Sequence, residues 1–326
     1  MAAEQTKSGS TPQRRTLTVK PTLLGDKVFF GITSFTAYFS IALVGLVLVF
    51  LLIRAWPALQ HEGINFLIGS TWDDSVQPMV MQIFPMLWGS ILLALLGVLL
   101  AVPMAIALAY LIEFLAPKPI ARVATLLVDL LAALPSVVIG LWGLFVFTPV
   151  AEGWSELLHK TLGWLPFFAN ETGNFSRSPF IAGWIVAVMI VPIITSVTRE
   201  IFSQMDRDLI NAAKALGGGM ASTLTRVILP TASGGIVGGT LLGLGRALGE
   251  TVAIFFVLNL SFDINWFDVS EARGGSIASM ILSKLGEATD YEISGLMAAG
   301  VVLFVSTLII NFIAGYIVNR AQPWRK

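Results

Sequence analysis

Six apolar blocks, each long enough to cross a bilayer, limit what this chain can become. A helix rises about 1.5 Å per residue, so about 20 apolar residues span a hydrocarbon core of roughly 30 Å. The blocks run near Val28–Ile53, Phe84–Phe114, Ala124–Val150, Phe180–Phe202, Ile228–Leu258 and Ile293–Val318. With 56% hydrophobic and only 12% charged residues and a mean hydropathy of +0.82, the chain lacks the polar surface that a water-soluble globule needs. The pattern predicts an all-α polytopic membrane protein of about six transmembrane helices.

The charges balance overall, 20 Lys+Arg against 20 Asp+Glu, so no basic excess points to nucleic acid. Their placement is more telling. With a cytoplasmic amino terminus, fourteen cations face inward: Lys7, Arg14, Arg15, Lys20, Lys27, Lys118, Arg122, Arg199, Arg207, Lys214, Arg226, Arg320, Arg325 and Lys326. Five face outward, Arg54, Lys160, Arg177, Arg273 and Lys284, and Arg246 is left inside the fifth block. The positive-inside rule therefore predicts both termini in the cytoplasm. Residues 1–20 are polar, without an apolar signal-peptide core, and read as a disordered cytoplasmic tail; residues 21–326 read as one transmembrane domain.

Proline and glycine interrupt the blocks. Pro85 and Pro103 lie in or beside the second, Pro135 in the third and Pro192 in the fourth, while the fifth carries Gly234, Gly235, Gly238, Gly239, Gly243, Gly245 and Gly249. Internal prolines kink helices and small residues allow close helix approach, as a rearranging bundle requires; membrane helices are also richer in both residues generally. The outward connections, about 55–83, 151–179 and 259–292, carry tryptophans suited to the headgroup interface. His61 and His159 read as ordinary loop or interfacial residues. With no cysteine, a metal cluster is improbable. Asn170-Glu-Thr matches a glycosylation sequon, a weak pattern by itself.

Between the fourth and fifth blocks, residues 203–230 contain Asp206-Arg-Asp-Leu-Ile-Asn-Ala-Ala-Lys-Ala-Leu-Gly217. Ile210, Ala213 and Leu216 recur at helical spacing, and Gly217 to Gly219 stop that helix. A second short helix near Ala221–Val227 leads to Pro230. Two short amphipathic helices on the basic side suit docking of a cytoplasmic partner or, equally by periodicity, a lipid-lying segment. No Gly-x-x-x-x-Gly-Lys-Ser/Thr loop is present, so Gly217-Gly-Gly219 is no nucleotide cradle. Arg246 and Glu250, four residues apart, are expected on one helical face inside the fifth block. Ionised groups at that depth are either a structural ion pair or functional.

The loop resembles the signature of binding-protein-dependent ABC importer permeases: Glu-Ala-Ala, three residues, Gly, nine residues, Ile, one residue, Leu-Pro. Asn211, Ala212, Ala213, Gly217, Val227, Leu229 and Pro230 fall at its seven spacings, with Asn211 replacing the acid and Val227 replacing isoleucine. Leu134-Pro-Ser-Val-Val-Ile-Gly-Leu-Trp-Gly-Leu and Gly243-Leu-Gly-Arg-Ala-Leu-Gly-Glu further resemble the C-type permeases of phosphate-specific importers. That resemblance implies a type I importer permease bundle with a cytoplasmic coupling helix. The implied partners are a PstA-like paralogous permease, a cytoplasmic ATPase dimer that uses ATP, and an extracytoplasmic phosphate-binding protein. No cofactor is implied in this chain, which catalyses no covalent step. Arg246 then faces a phosphate path, Glu250 orients its guanidinium, and Thr251, Thr240 and Ser136 add hydroxyl contacts. A permease for sulfate or molybdate, or a membrane scaffold or sensor, are the other readings of the same residues.

Overall fold

The computed structural model describes residues 24–321, with side chains over 25–316; the expected tail over residues 1–20 lies outside them. Among the described residues six helical stretches are long and apolar enough to cross a membrane: Gly25–Glu62, Phe84–Leu115, Ser136–Leu162, Pro179–Ser203, Met220–Leu248 and Asp290–Tyr316. All six overlap the blocks read from sequence. Helix α1 (Leu24–Glu62) contributes the first, α2 (Asn65–Ile68) follows it, and a two-residue antiparallel ribbon pairs β1 (Trp72–Asp73) with β2 (Val80–Met81). The ribbon is a small exception to an all-α expectation.

The chain divides into two units, one ending at Phe50 and one beginning at Leu51. In the first, α1 exposes Phe29, Phe35, Phe39 and Ile41, side chains that lipid tails solvate as well as a protein interior does. The second unit holds everything else. Helix α3 (Phe84–Tyr110) ends in a π-helical turn, Leu111–Leu115; α4 (Lys118–Ala133) and α5 (Ser136–Trp142) follow, then a second π turn, Gly143–Phe147, and α6 (Thr148–Leu162).

The third expected span, Ala124–Val150, is therefore divided. Pro135 has no N–H to continue a helical ladder and restricts Leu134 to extended backbone (ψ 133°), so α4 stops at Ala133 and a new helix begins at Ser136. Both pieces contact α7 (Pro179–Ser203). Thr125 Oγ1 accepts from Arg199 Nη1 at 2.6 Å near one end of α7, while Gly143 meets Ile185 toward the other.

Helices α8 (Arg207–Ala215) and α9 (Met220–Thr223) form the inter-span segment, a third π turn spans Leu224–Ile228, and α10 (Leu229–Leu248) re-enters the bundle. Glycines set the packing of α10 on α7. A Cβ on Gly235 would strike Ile201, one on Gly239 would lie 3.1 Å from Val197, and one on Gly243 would lie 3.0 Å from Ile194. Steps of four on α10 against steps of four and three in the reverse direction on α7 describe an antiparallel crossing with backbones drawn together. Helix α3 lies parallel to α7, with Gly97 against Val186 and Thr195 Oγ1 donating to Ala105 O at 3.5 Å. Leu93, Ala101, Ile185, Ile190, Ile194 and Leu244 are buried in the resulting core.

The fifth expected span, Ile228–Leu258, is also interrupted. α10 ends at Leu248, residues 249–251 break the ladder, and α11 (Val252–Val257) is a separate turn and a half. Helix α12 (Ile277–Lys284) precedes the final span, α13 (Asp290–Ala321). At the bundle end opposite α8, the 163–178 and 258–276 loops are laced together. Val269 N donates to Phe167 O at 3.0 Å, Phe180 N to Val269 O at 2.8 Å, and Asn259 N to Arg177 O at 3.0 Å. Asn170 is buried and spends its amide on Asn174 O and Ser270 O, a structural duty that leaves no free sequon asparagine. His159 Nδ1 lies 2.8 Å from Phe168 O, fastening α6 to the same loop, and His61 sits 3.6 Å from Glu62.

Candidate functional site

Two places in the bundle carry the residues singled out by sequence. The first is the segment joining α7 to α10. Asp206 Oδ1 accepts from Asp208 N at 2.9 Å, an N-cap that starts α8 where orphan N–H groups need an acceptor. Gly217 adopts φ +85°, a left-handed conformation that glycine enters without a Cβ clash, and its N–H closes on Lys214 O. The helix buries Ile210 and half-buries Ala213. Its exposed apolar side carries Leu209, Ala212 and Leu216, the last 90% exposed, with Met220 beyond the turn. Asn211 and Pro230 are also exposed, whereas Val227 and Leu229 are half-buried at the root of α10. Signature residues are thus split between an exposed face and a set that anchors it.

The second is the break in α10–α11. Gly243 packs on Ile190 and Ile194, so Arg246, about one turn further on, stands beside the middle of α7. Its side chain is exposed and forms no ion pair among the described residues. The expected shared helical face with Glu250 is corrected. The helix ends between them, at Gly249, and Glu250 is 7% exposed with Oε1 accepting from Ala253 N at 3.2 Å. Glu250 therefore ties down the start of α11 instead of orienting the Arg246 guanidinium. Thr251 occupies the break itself, its Oγ1 donating to Gly249 O at 3.2 Å. Thr240 lies about 9 Å along α10 from Arg246, toward α8, and donates to Ile236 O at 2.8 Å.

Ser136 enters the same layer from another helix. It is the first residue of α5, between the Thr125–Arg199 and Gly143–Ile185 contacts that fix depth along α7. α5 packs on α11, where a Cβ on Gly140 would lie 2.8 Å from Ala253 Cα. Two interrupted helices thus meet side by side at mid-bundle, with Ser136, Arg246 and Thr251 at or beside the interruptions. Breaks of this kind expose backbone polar groups at membrane depth, where they are tolerated facing a cavity or protein. A cavity of about 960 Å³ lies elsewhere, at the loop end, lined by Pro57, His61, Asp74, Met79, Glu287 and Tyr291 among others. Its carboxylates, Asp74, Glu287 and Glu292, disfavour an anion there. Among the described residues, no three His, Asp or Glu side chains converge as a metal site.

Comparison with known proteins places this geometry. The family described as "Binding-protein-dependent transport system inner membrane component" matches residues 101–323, which defines the class as an importer permease. Phosphate transport system permease protein PstC 2 of Mycobacterium tuberculosis is 34% identical over 299 residues, covering 90% of this chain and 91% of that protein. PstC of Haemophilus influenzae is 35% identical over 302 residues, 91% and 94% of the two chains, and PstC of Mesorhizobium japonicum 32% over 327 residues, 98% of each. The chain belongs to the PstC family of these permeases, and it is a transport subunit, not an enzyme. The fold agrees. A chain of the bacterial alginate ABC transporter superposes with a TM-score of 0.61 at 16% identity, covering 91% of this chain and 96% of that one. A chain of the MetNI methionine ABC transporter gives 0.50 at 14%, covering 72% and 93%.

Two features lay outside the reach of the sequence pattern. Glu113 pairs with Arg207 at 2.6 Å across 94 positions, and Asp268, Glu271 and Arg273 gather in the α11–α12 loop. The first has no local spacing rule; the second shows only as three charges in a short polar stretch.

Proposed function

We propose that this chain is the permease subunit of an ATP-driven phosphate importer in a prokaryotic plasma membrane, forming part of the translocation path by alternating access. Both termini and α8 lie in the cytoplasm, and the laced loops face outward, where a phosphate-binding protein delivers its ligand. A PstA-like permease completes the path. A cytoplasmic ATPase dimer grips the exposed Leu209, Ala212 and Leu216 of α8 and supplies the energy by ATP hydrolysis. The observation that carries this reading is Arg246: an exposed guanidinium beside a helix break, level with the middle of α7 and without an ion-pair partner among the described residues. An uncompensated cation is costly there unless an anion or water reaches it. A guanidinium offers phosphate a planar fork of donors, held long enough for the bundle to rearrange and then released. Thr251, Ser136 and Thr240 supply neutral hydroxyls along the same passage, while Glu250 keeps the break in shape.

The test uses the four-component complex in vesicles, with uptake of labelled phosphate measured per assembled complex and sulfate as competitor. Losing a desolvated charge partner costs about 2–5 kcal/mol, so Arg246→Ala should lower uptake about thirtyfold or more. Arg246→Lys keeps charge without the fork and should transport poorly. Wild-type uptake by Arg246→Ala removes the residue from the path; efficient competition by sulfate moves the substrate to another oxyanion.

A further inference from the structure

Arg207, the first residue of α8, donates through Nη2 to Glu113 Oε1 at 2.6 Å, and its guanidinium carbon lies 5.4 Å from the centre of the Phe114 ring. Glu113 and Phe114 both belong to the π turn that ends α3. The Phe114 ring in turn meets Tyr110 of α3 at 5.4 Å and Phe202 in the last turn of α7 at 5.6 Å. Beside these rings Ile210 is buried with Ala109, Phe202 and Ile228. The side of α8 bearing Leu209, Ala212 and Leu216 remains exposed.

We propose that Glu113 and Arg207 are positioning residues for transport, and that their ion pair over the Phe114 ring is the link by which movement of α8 is passed to α3. This rests on the reading of α8 as the ATPase-docking element. Apolar burial of Ile210 resists separation but has no preferred direction. Held by Ile210 alone, α8 could slide or pivot beneath the bundle. The ion pair and the ring contact add direction, because guanidinium, carboxylate and ring each accept only certain geometries. The Glu113 side chain is 19% exposed and that of Arg207 59%, and such surface pairs contribute little to net stability. Holding the fold together is therefore a poor account of the pair; its place between docking helix and span is the better one. A π turn, frequent at functional sites, gives the end of α3 a local irregularity at the point of attachment. From there α3 runs beside α7, and α7 meets the glycine face of α10, the helix that carries Arg246.

The experiment measures phosphate taken up per ATP hydrolysed in vesicles holding the complete complex, counting only complexes that retain their ATPase. Glu113→Gln and Arg207→Gln should each lower that ratio about fivefold or more, the range of ordinary coupling energies, while ATP hydrolysis continues. Exchanging the charges, Glu113→Arg with Arg207→Glu, should bring the ratio back toward wild type. A purely structural role would lower assembly and leave the ratio unchanged. An unchanged ratio in either single variant, or no recovery in the exchanged pair, overturns the link. Loss of the ATPase from Glu113→Gln complexes also overturns it, making Glu113 a docking residue. Absence of ATP-driven phosphate uptake by the wild-type complex is a separate failure, which removes the importer reading itself and the link with it.

Discussion

Asp268 is placed where an ordinary carboxylate is unstable. Its Oδ1 is buried without a donor, the 2% exposed Glu271 stands beside it, and Arg273 Nη2 reaches Glu271 at 3.3 Å. Burial first, and then the neighbouring Glu271 carboxyl, push Asp268 from its ordinary 3.8 up to about 7, against smaller pulls from the Ser270 backbone N–H and from Arg273. The folded loop therefore holds a proton across this interval that the unfolded chain releases. Stabilisation from that proton is complete below the unfolded value, declines as pH rises, and is lost once pH passes about 7. Residues 265–275 should accordingly show faster amide exchange above about pH 7 than below it, after correction for the intrinsic rate. Asp268→Asn should flatten the profile. An equally steep profile in that variant would assign the pH response to some other group.

At the scale of elements, the glycines of α10 divide by face. Gly235, Gly239 and Gly243 touch α7, but a Cβ on Gly238 would meet nothing within 4 Å. Gly235→Ala should therefore overpack the crossing and cost about 1–3 kcal/mol. Gly238→Ala in the same helix should be neutral or stabilising by up to about 1 kcal/mol, through reduced backbone freedom in the unfolded chain. Thermal unfolding of the solubilised chain followed by circular dichroism separates the two, and equal midpoints would mean that α10 turns a different face to α7. The same elements explain what the sequence made legible. Six apolar blocks and the glycine-ended α8 have lengths and spacings that announce themselves. The interruption at Gly249 does not, because Val252-Ala-Ile-Phe-Phe-Val257 continues the apolar run beyond it and hydropathy is blind to a broken ladder. Pro135 did carry a signal, but a proline marks either a kink or a stop, and only the extended Leu134 decides for a stop. Contacts such as Glu113–Arg207 depend on how α3 and α7 pack, which no local window contains.

For the whole molecule, the decisive question is which end of the bundle meets the cytoplasm, since every role proposed for α8 depends on it. The chain places α8 at one end and Lys160, in the last turn of α6, at the other, because α7 runs between them from the laced loops to Ser203. The bias of lysine and arginine assigns the α8 end to the inside. Since the chain contains no cysteine, single cysteines can report each side without background. Ala212→Cys is preferable to Ala213→Cys for this purpose, because Ala212 is exposed whereas Ala213 is half-buried, and poor labelling there would be ambiguous. A membrane-impermeant thiol reagent added outside intact cells should modify Lys160→Cys and leave Ala212→Cys untouched. Opening the cells should make Ala212→Cys reactive, unless the ATPase covers it, in which case removing the ATPase should restore labelling. Modification of Ala212→Cys from outside would invert the molecule, put the docking face of α8 out of reach of any ATPase, and leave the Glu113–Arg207 pair nothing to transmit.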